Sequence, residues 1–161
     1  MAALAGRELW LDGYNVLITV EAALAGGVIL VGRDVCVRDM ASLHGTYREV
    51  AETDRAARLI GETLTQAGVV RCHWLLDRPV GNSGRLRARL RTIAEAAGWL
   101  WEVTLDDSPD AALAKVDGIV ATSDSVVLDH CTRWSNVAGA VIARHVANAW
   151  HVDLSGSCPI P

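Results

Sequence analysis

Short apolar runs ending in Asp or Gly, separated by amphipathic stretches, recur along almost the whole of this 161-residue chain. Parallel strands cannot be joined by a tight turn, so this alternation points to a parallel sheet built through helical crossovers. The runs expected as core strands are residues 9–12, 69–76, 99–105 and 119–122, with a last short strand at 149–154. Helical spacing of apolar residues predicts helices over 16–25, 42–67, 85–97 and from 125 to about 134, and Gly26-Gly27, Gly68 and Gly98 stand where helices stop. Pro109 suits the first turn of a further short helix. Residues 137–148 read as a helix, or as a strand and a helix. Residues 28–31 and 35–37 flank Gly32-Arg33-Asp34 and suit a small hairpin.

At 51% apolar and 21% charged residues the chain is globular, long enough to close one core. One domain over 1–154 is expected, followed by a tail at 155–161. The first ten residues lack a basic stretch ahead of an apolar one and carry Glu8, so a cytoplasmic protein is expected. The longest uncharged run, 22–32, is too short to span a bilayer. Cys36, Cys72, Cys131 and Cys158 have neither disulfide-framework nor zinc spacing. A net charge of −4 excludes a protein that coats nucleic acid indiscriminately. The Trp residues fall mainly in expected strands or near helix ends, where they pack a core.

In an open parallel sheet the carboxyl ends of the strands form the edge at which ligands collect. Asp12, Asp77 and Asp124 each follow such a strand, and Asp106, Asp107 and Asp110 follow another. Carboxylates gathered at one crevice repel unless a cation is present, and hard oxygen donors select Mg²⁺ or Mn²⁺.

Leu11-Asp12-Gly13-Tyr14-Asn15 resembles the first-strand motif of the PIN-like nuclease superfamily, particularly its NYN branch. Val120-Ala121-Thr122-Ser123-Asp124-Ser125 is similar to the fourth-strand motif of that branch, and Asp110 stands at the place of the acidic residue on the preceding helix. The resemblance runs from residue 9 to 145 and implies a three-layer α/β/α sandwich with a mainly parallel sheet. It implies metal-dependent hydrolysis of RNA phosphodiesters, with Asp12, Asp110 and Asp124 as the catalytic carboxylates. Asp12 and Asp124 would be direct metal ligands, Asp77 and Asp110 would act through water or a second ion, and Asn15 would orient Asp12 or touch a phosphate. Val126 departs from the branch, where a second aspartate is common, and Asp77 or Asp129 would have to substitute. Residues 28–50, with Arg38, Asp39, His44 and Tyr47, match no motif of the superfamily and read as a subfamily insertion.

The run Arg85-Leu86-Arg87-Ala88-Arg89-Leu90-Arg91 makes a strongly basic helix that begins beside Asn82 and Ser83, close to Asp77. Its amino end, with Arg85 and Arg89 one turn apart, is a candidate phosphate-binding surface, and Ser125 is a further candidate substrate contact. Bland readings stand beside these. Asp124 suits a helix N-cap, Asp77 a turn, Asp110 a helix dipole, and the arginines a solvated face. A second functional reading is a catalytically degenerate module that binds RNA or a protein without cutting. A small-molecule phosphohydrolase ranks last, since residues 9–12 lack an Asp-x-Asp. A homodimer is compatible with the sequence.

Overall fold

A computed structural model describes residues 4–40 and 46–156. Ser42, Leu43 and His44, at the start of the expected 42–67 helix, lie outside the described residues, as do Cys158 and most of the 155–161 tail.

The main sheet is four-stranded and wholly parallel, in the order β5-β4-β1-β6, built from β1 (Glu8–Asp12), β4 (Arg71–Asp77), β5 (Trp101–Asp106) and β6 (Ile119–Ala121). β1 is therefore interior, with Leu9 and Leu11 fully buried on one face. That face is covered by α1 (Gly13–Leu24), α2 (Thr53–Gln66), α3 (Ser83–Ala97) and α6 (Val137–His145), which close the principal core around Trp74, Leu76, Leu17, Ile60, Leu90 and Ile142. Trp74 lies 4.8 Å from Trp101, which stacks on Trp99 at 5.1 Å, so these tryptophans fill the core as expected. Each fully buried aliphatic side chain contributes on the order of 1.5–3 kcal/mol.

The opposite face is thinner than a full third layer. Only α4 (Pro109–Leu113, with Pro109 in its first turn) and α5 (Ser125–His130) pack there, on Leu75 and Val120. Toward the amino ends of the strands the face stays partly open, where Trp10 stacks on His73 at 4.5 Å and Glu8 and Glu102 take the two ring nitrogens of His73.

A second sheet has the order β3-β2-β7, with β2 (Val28–Val31) and β3 (Val37–Asp39) forming the expected hairpin against α1. The last strand, β7 (Trp150–Asp153), pairs parallel with β2 and so extends this sheet instead of the main one.

Three expected boundaries move for tertiary reasons. The helix expected from residue 42 begins at Thr53, because the backbone of Tyr47 is taken by the 81–82 loop: its N–H donates to Gly81 and its carbonyl accepts from the Asn82 amide. The helix after Asp124 stops at His130, and residues 133–135 run extended beside β6, with Val120 N–H bonded to Arg133 and Ser135 N–H to Val120. Residues 137–148, read as a helix or as a strand and a helix, hold the single helix α6, which ends at His145.

Gly13 shows how α1 is seated on the sheet. A Cβ there would lie 2.7 Å from the carbonyl oxygen of Leu75 and 2.6 Å from a Leu76 methyl. The amino end of α1 therefore sits against β4 with no room for a side chain. Gly13→Ala is expected to cost about 1–3 kcal/mol. At about 2–4 °C per kcal/mol for a chain of this size, a thermal melt will register it; a parent-like melting temperature would mean the helix start yields freely.

Among the described residues no helix is long and apolar enough to cross a membrane.

Candidate functional site

The carboxyl edge of the main sheet is where the expected aspartates come together. Asp12 ends β1 opposite Leu75, and Asp77 closes β4 two residues further on. Thr122 and Ser123 follow β6, and Asp110 lies in the first turn of α4. Asp12 is only 7% exposed, and its carboxylate accepts a 2.8 Å hydrogen bond from the Thr122 hydroxyl. Its pKa is pushed up from 3.8 to about 7, first by burial. The Thr122 hydrogen bond pulls it back, the charge of Asp110 raises it, the Asn15 backbone amide pulls it back, and Asp77 raises it again. Asp12 stands at the N-cap of α1, where its side chain makes no cap hydrogen bond of full geometry; the Asn15 N–H acts on the carboxylate only as a weaker influence, behind burial and the Thr122 hydroxyl.

The other carboxylates answer to the same field. Asp77, half-buried, is raised by burial and then by Asp110 and Asp106. Asp110 is raised by burial and by Asp124. The four aspartates thus form one run of mutual repulsion from Asp77 through Asp12 and Asp110 to Asp124. Asp124 is the member with a structural duty: one carboxylate oxygen accepts from the backbone N–H groups of Val126 and Val127, at 2.8 and 3.1 Å, capping α5. Its own N–H donates to the Thr122 hydroxyl, tying the cap to the partner of Asp12.

Asn15 joins the two halves of the edge. Its side-chain oxygen accepts from the backbone N–H of Ser123 at 2.8 Å and from the Ser123 hydroxyl at 2.9 Å. A backbone N–H needs an acceptor, which fixes the amide orientation and leaves the Asn15 nitrogen as the end available to a ligand. Beside it opens a polar cleft of about 240 Å³ lined by Asn15, Arg38, Asp39, Ser123, Asp124 and Ser125. This is smaller than the roughly 300–1,000 Å³ of a drug-sized pocket.

Two walls of that cleft were invisible to the sequence reading. Arg38 and Asp39 come from β3, in the stretch read as an insertion. Arg38 is held in a two-bond pair with Asp34 at 3.0 and 2.5 Å, which raises the guanidinium pKa and lowers that of the carboxylate. Asp39 accepts from the Thr19 hydroxyl at 2.7 Å. Thr122 and Tyr14 also went unassigned, although both lie inside the motifs around Asp12 and Asp124. Tyr14 is 3% exposed, and its hydroxyl is buried without a hydrogen-bond partner. Burial and then the nearby charge of Asp77 push its pKa up to about 12. A buried, unpartnered hydroxyl beside a repelling set of carboxylates is the kind of group a ligand or bound water satisfies.

The expected phosphate surface on α3 is largely spent on the fold. Arg89 makes a two-bond pair with Asp54 of α2, at 2.7 and 2.5 Å. Asn82, in the left-handed conformation at φ 69°, donates to the Tyr47 carbonyl, and Ser83 is buried and donates to the Arg78 carbonyl. Arg85 and Ser125 remain exposed.

The donor set suits a hard divalent cation in kind, being carboxylate, amide and hydroxyl oxygen. Among the described residues, however, no three His, Cys, Asp or Glu side chains stand close enough together to hold a metal ion.

The carboxyl edge of the parallel sheet thus places acidic side chains from β1, β4, α4 and the β6–α5 turn within electrostatic reach of one another. Residues 1–140 match a family described as a domain of unknown function (DUF5616), and the chain belongs to that family. It is 32% identical over 123 residues to an uncharacterized protein of Methanocaldococcus jannaschii, a match that covers 76% of this chain and 58% of the relative. The chain thus spans less than two thirds of that relative's length. No solved structure matches it.

Proposed function

We propose that this protein is a PIN-like, divalent-metal-dependent ribonuclease acting at the carboxyl edge of the main sheet. The observation that carries the reading is the buried Asp12, held near neutral pKa by burial and by its neighbours Asp110 and Asp77. A buried carboxyl with a strongly shifted pKa and charged neighbours is a functional-site candidate, and Asn15, three residues on from Asp12, lines the polar cleft. The motifs around Asp12, Asp110 and Asp124 support the reading by their order and spacing.

Asp12 and Asp77 would hold Mg²⁺ or Mn²⁺, with Asp110 acting through water; Asp124 keeps its cap and has one oxygen to offer. Such an ion, once bound, activates water and stabilises the charge that builds on a transferring phosphate. The chain's own groups do the rest. Thr122 fixes the rotamer of Asp12, the Asn15 amide nitrogen and Ser125 point to substrate oxygens, and Tyr14 donates to a bound water or phosphate. Arg38 supplies a cation held in place by Asp34. RNA is the substrate class we assign. The cytoplasm is the compartment we assign, in keeping with the free Cys36, Cys72 and Cys131.

Purified protein is expected to cleave single-stranded RNA in Mg²⁺ or Mn²⁺ and to stop in chelator. Asp12→Asn and Asp110→Asn should each slow cleavage at least about a hundredfold, equivalent to about 2.7 kcal/mol of barrier. A broad RNA panel left intact in both metals would sink the nuclease reading. The cap duty of Asp124 and the presence of Val126 favour, as second reading, a module that binds RNA without cutting. Metal-dependent RNA binding with no turnover would establish it.

A further inference from the structure

The outer edge of β7 is open. In the second sheet β7 has β2 as its neighbour on one side and no described strand on the other. The Leu154 N–H donates to the Val31 carbonyl, so backbone groups at even positions of this strand point toward β2. By alternation those of His151 and Asp153 point outward. The side chains alternate across the sheet. Trp150, Val152 and Leu154, at 62%, 37% and 52% exposure, lie on one face, and His151 and Asp153 on the other. β7 carries no Lys, Pro or bulge; what guards its edge is its length of four residues and the charge of Asp153.

We propose that β7 pairs with β7 of a second copy of this chain, antiparallel about a two-fold axis through Val152. Charge selects both the partner and the register. Outward-facing backbone groups can meet in three two-fold registers: His151 against His151, Asp153 against Asp153, or His151 against Asp153. The second opposes two carboxylates, and like charges directly across a ladder are unfavourable; the first leaves each Asp153 without a cross-strand partner among the outward-facing residues. The third sets His151 of each copy against Asp153 of the other, twice, and gives both hydrogen-bonded pairs their full set of N–H and C=O partners. It also lays Trp150 across from Leu154 of the second copy and Val152 across from itself, covering the exposed apolar stripe. Asp153 is stiffened for this role, because one of its oxygens accepts from the Ser155 backbone at 2.8 Å and the Ser155 hydroxyl at 2.5 Å. The product is a continuous six-stranded sheet, an isologous contact of the kind that closes as a dimer.

The register makes a distance statement that a cysteine can read. Val152 and its copy occupy a non-hydrogen-bonded position, with Cα atoms about 4.5 Å apart, inside disulfide range. Leu154 and its copy are four residues out of register, roughly 13 Å apart, and cannot bridge. In a Cys158→Ser background, Val152→Cys is expected to form a cross-linked dimer under mild oxidation and Leu154→Cys to remain monomeric on denaturing gels. In sedimentation equilibrium the parent is expected to be a dimer. Val152→Lys, which brings two ammonium groups face to face at an exposed site, should weaken dimerisation at least tenfold while keeping the parent's circular dichroism. A parent that is monomeric at every concentration, equal cross-linking of the two cysteine variants, or undiminished dimerisation of Val152→Lys would each overturn the proposal.

Discussion

In chelator at pH 8, Asp12→Asn is expected to melt several degrees above the parent, and the gap should close as the pH falls toward 4. The folded-state pKa of Asp12 is about 7 against 3.8 for the free side chain. A raised acid contributes stability that is present in full below the unfolded value and is lost as pH rises through the folded value. The parent should therefore weaken between about pH 4 and pH 7 and level off above, by on the order of 4 kcal/mol if the whole shift is realised. Asn carries no charge to bury and keeps an oxygen for the Thr122 hydroxyl. Asp12 makes no cap hydrogen bond of full geometry, and the Asn oxygen can still face the Asn15 N–H, so the substitution forfeits little there. Asp77, Asp110 and Glu21 also have raised values, whereas Asp34, Asp54 and Asp153 have lowered ones, so the quantity to follow is the variant-minus-parent difference: Glu21, Asp34, Asp54 and Asp153 cancel in it, while Asp77 and Asp110 lose a repelling neighbour and change it in the same direction. Millimolar Mn²⁺ should then raise the parent and leave the variant behind, since an ion bound only by the folded state stabilises it by mass action. A variant that melts below the parent at both pH values would show that Asp12 is held as a structural carboxylate.

Glu21→Ala is expected to cost several kcal/mol, while Glu21→Gln stays close to the parent at neutral pH. Glu21 is 5% exposed in the middle of α1, and one of its oxygens accepts from the Tyr47 hydroxyl at 2.5 Å and from the Thr53 hydroxyl at 2.6 Å. Burial raises its pKa and these two hydrogen bonds pull it back, so the charge itself is costly there while the acceptor is needed. Alanine removes the shared acceptor of two buried hydroxyls, which can still bond each other at 2.9 Å, so one donor is left unsatisfied at about 1–3 kcal/mol, and the lost side chain leaves a cavity besides. Glutamine presents an oxygen to both without a charge to desolvate. The same hydroxyls hold Tyr47 and the start of α2 on α1, so the loss should also loosen the Asn82 contact to Tyr47. Denaturant melts of the two variants give the comparison. Equal losses would mean that charge, and not acceptance, is what the site requires.

The order of strands and helices was legible because it rests on local periodicity. Residues 69–76 read as a core strand and form β4 from 71 to 77; residues 85–97 read as a helix and form α3 from 83 to 97. The position of Asp12 at the carboxyl edge was legible because the apolar run 9–11 ends in it and a glycine follows at once. Its environment was not. Thr122 is 110 positions away in sequence, and only the parallel pairing of β1 with β6 brings it to Asp12. Arg38 reached the cleft for the same kind of reason, through the packing of the second sheet on α1. The basic run on α3 misled in part, because nothing within it announces that Asp54 of α2 will claim Arg89.

What the sequence determined by itself is the parallel α/β class, the strands that carry Asp12, Asp77 and Asp124 to a common edge, and the glycine that lets α1 start against β4. These follow from side-chain period, chain stops and steric room, all of which act between near neighbours. The tertiary structure alone decided that one face of the sheet takes four helices and the other two short ones, that β7 joins the second sheet, and that Arg38 stands over the cleft. Each of these depends on which distant surfaces bury one another. That is a competition among long-range contacts, in which the local signal of a segment such as 42–52 is overruled once the backbone of Tyr47 finds better partners at Gly81 and Asn82.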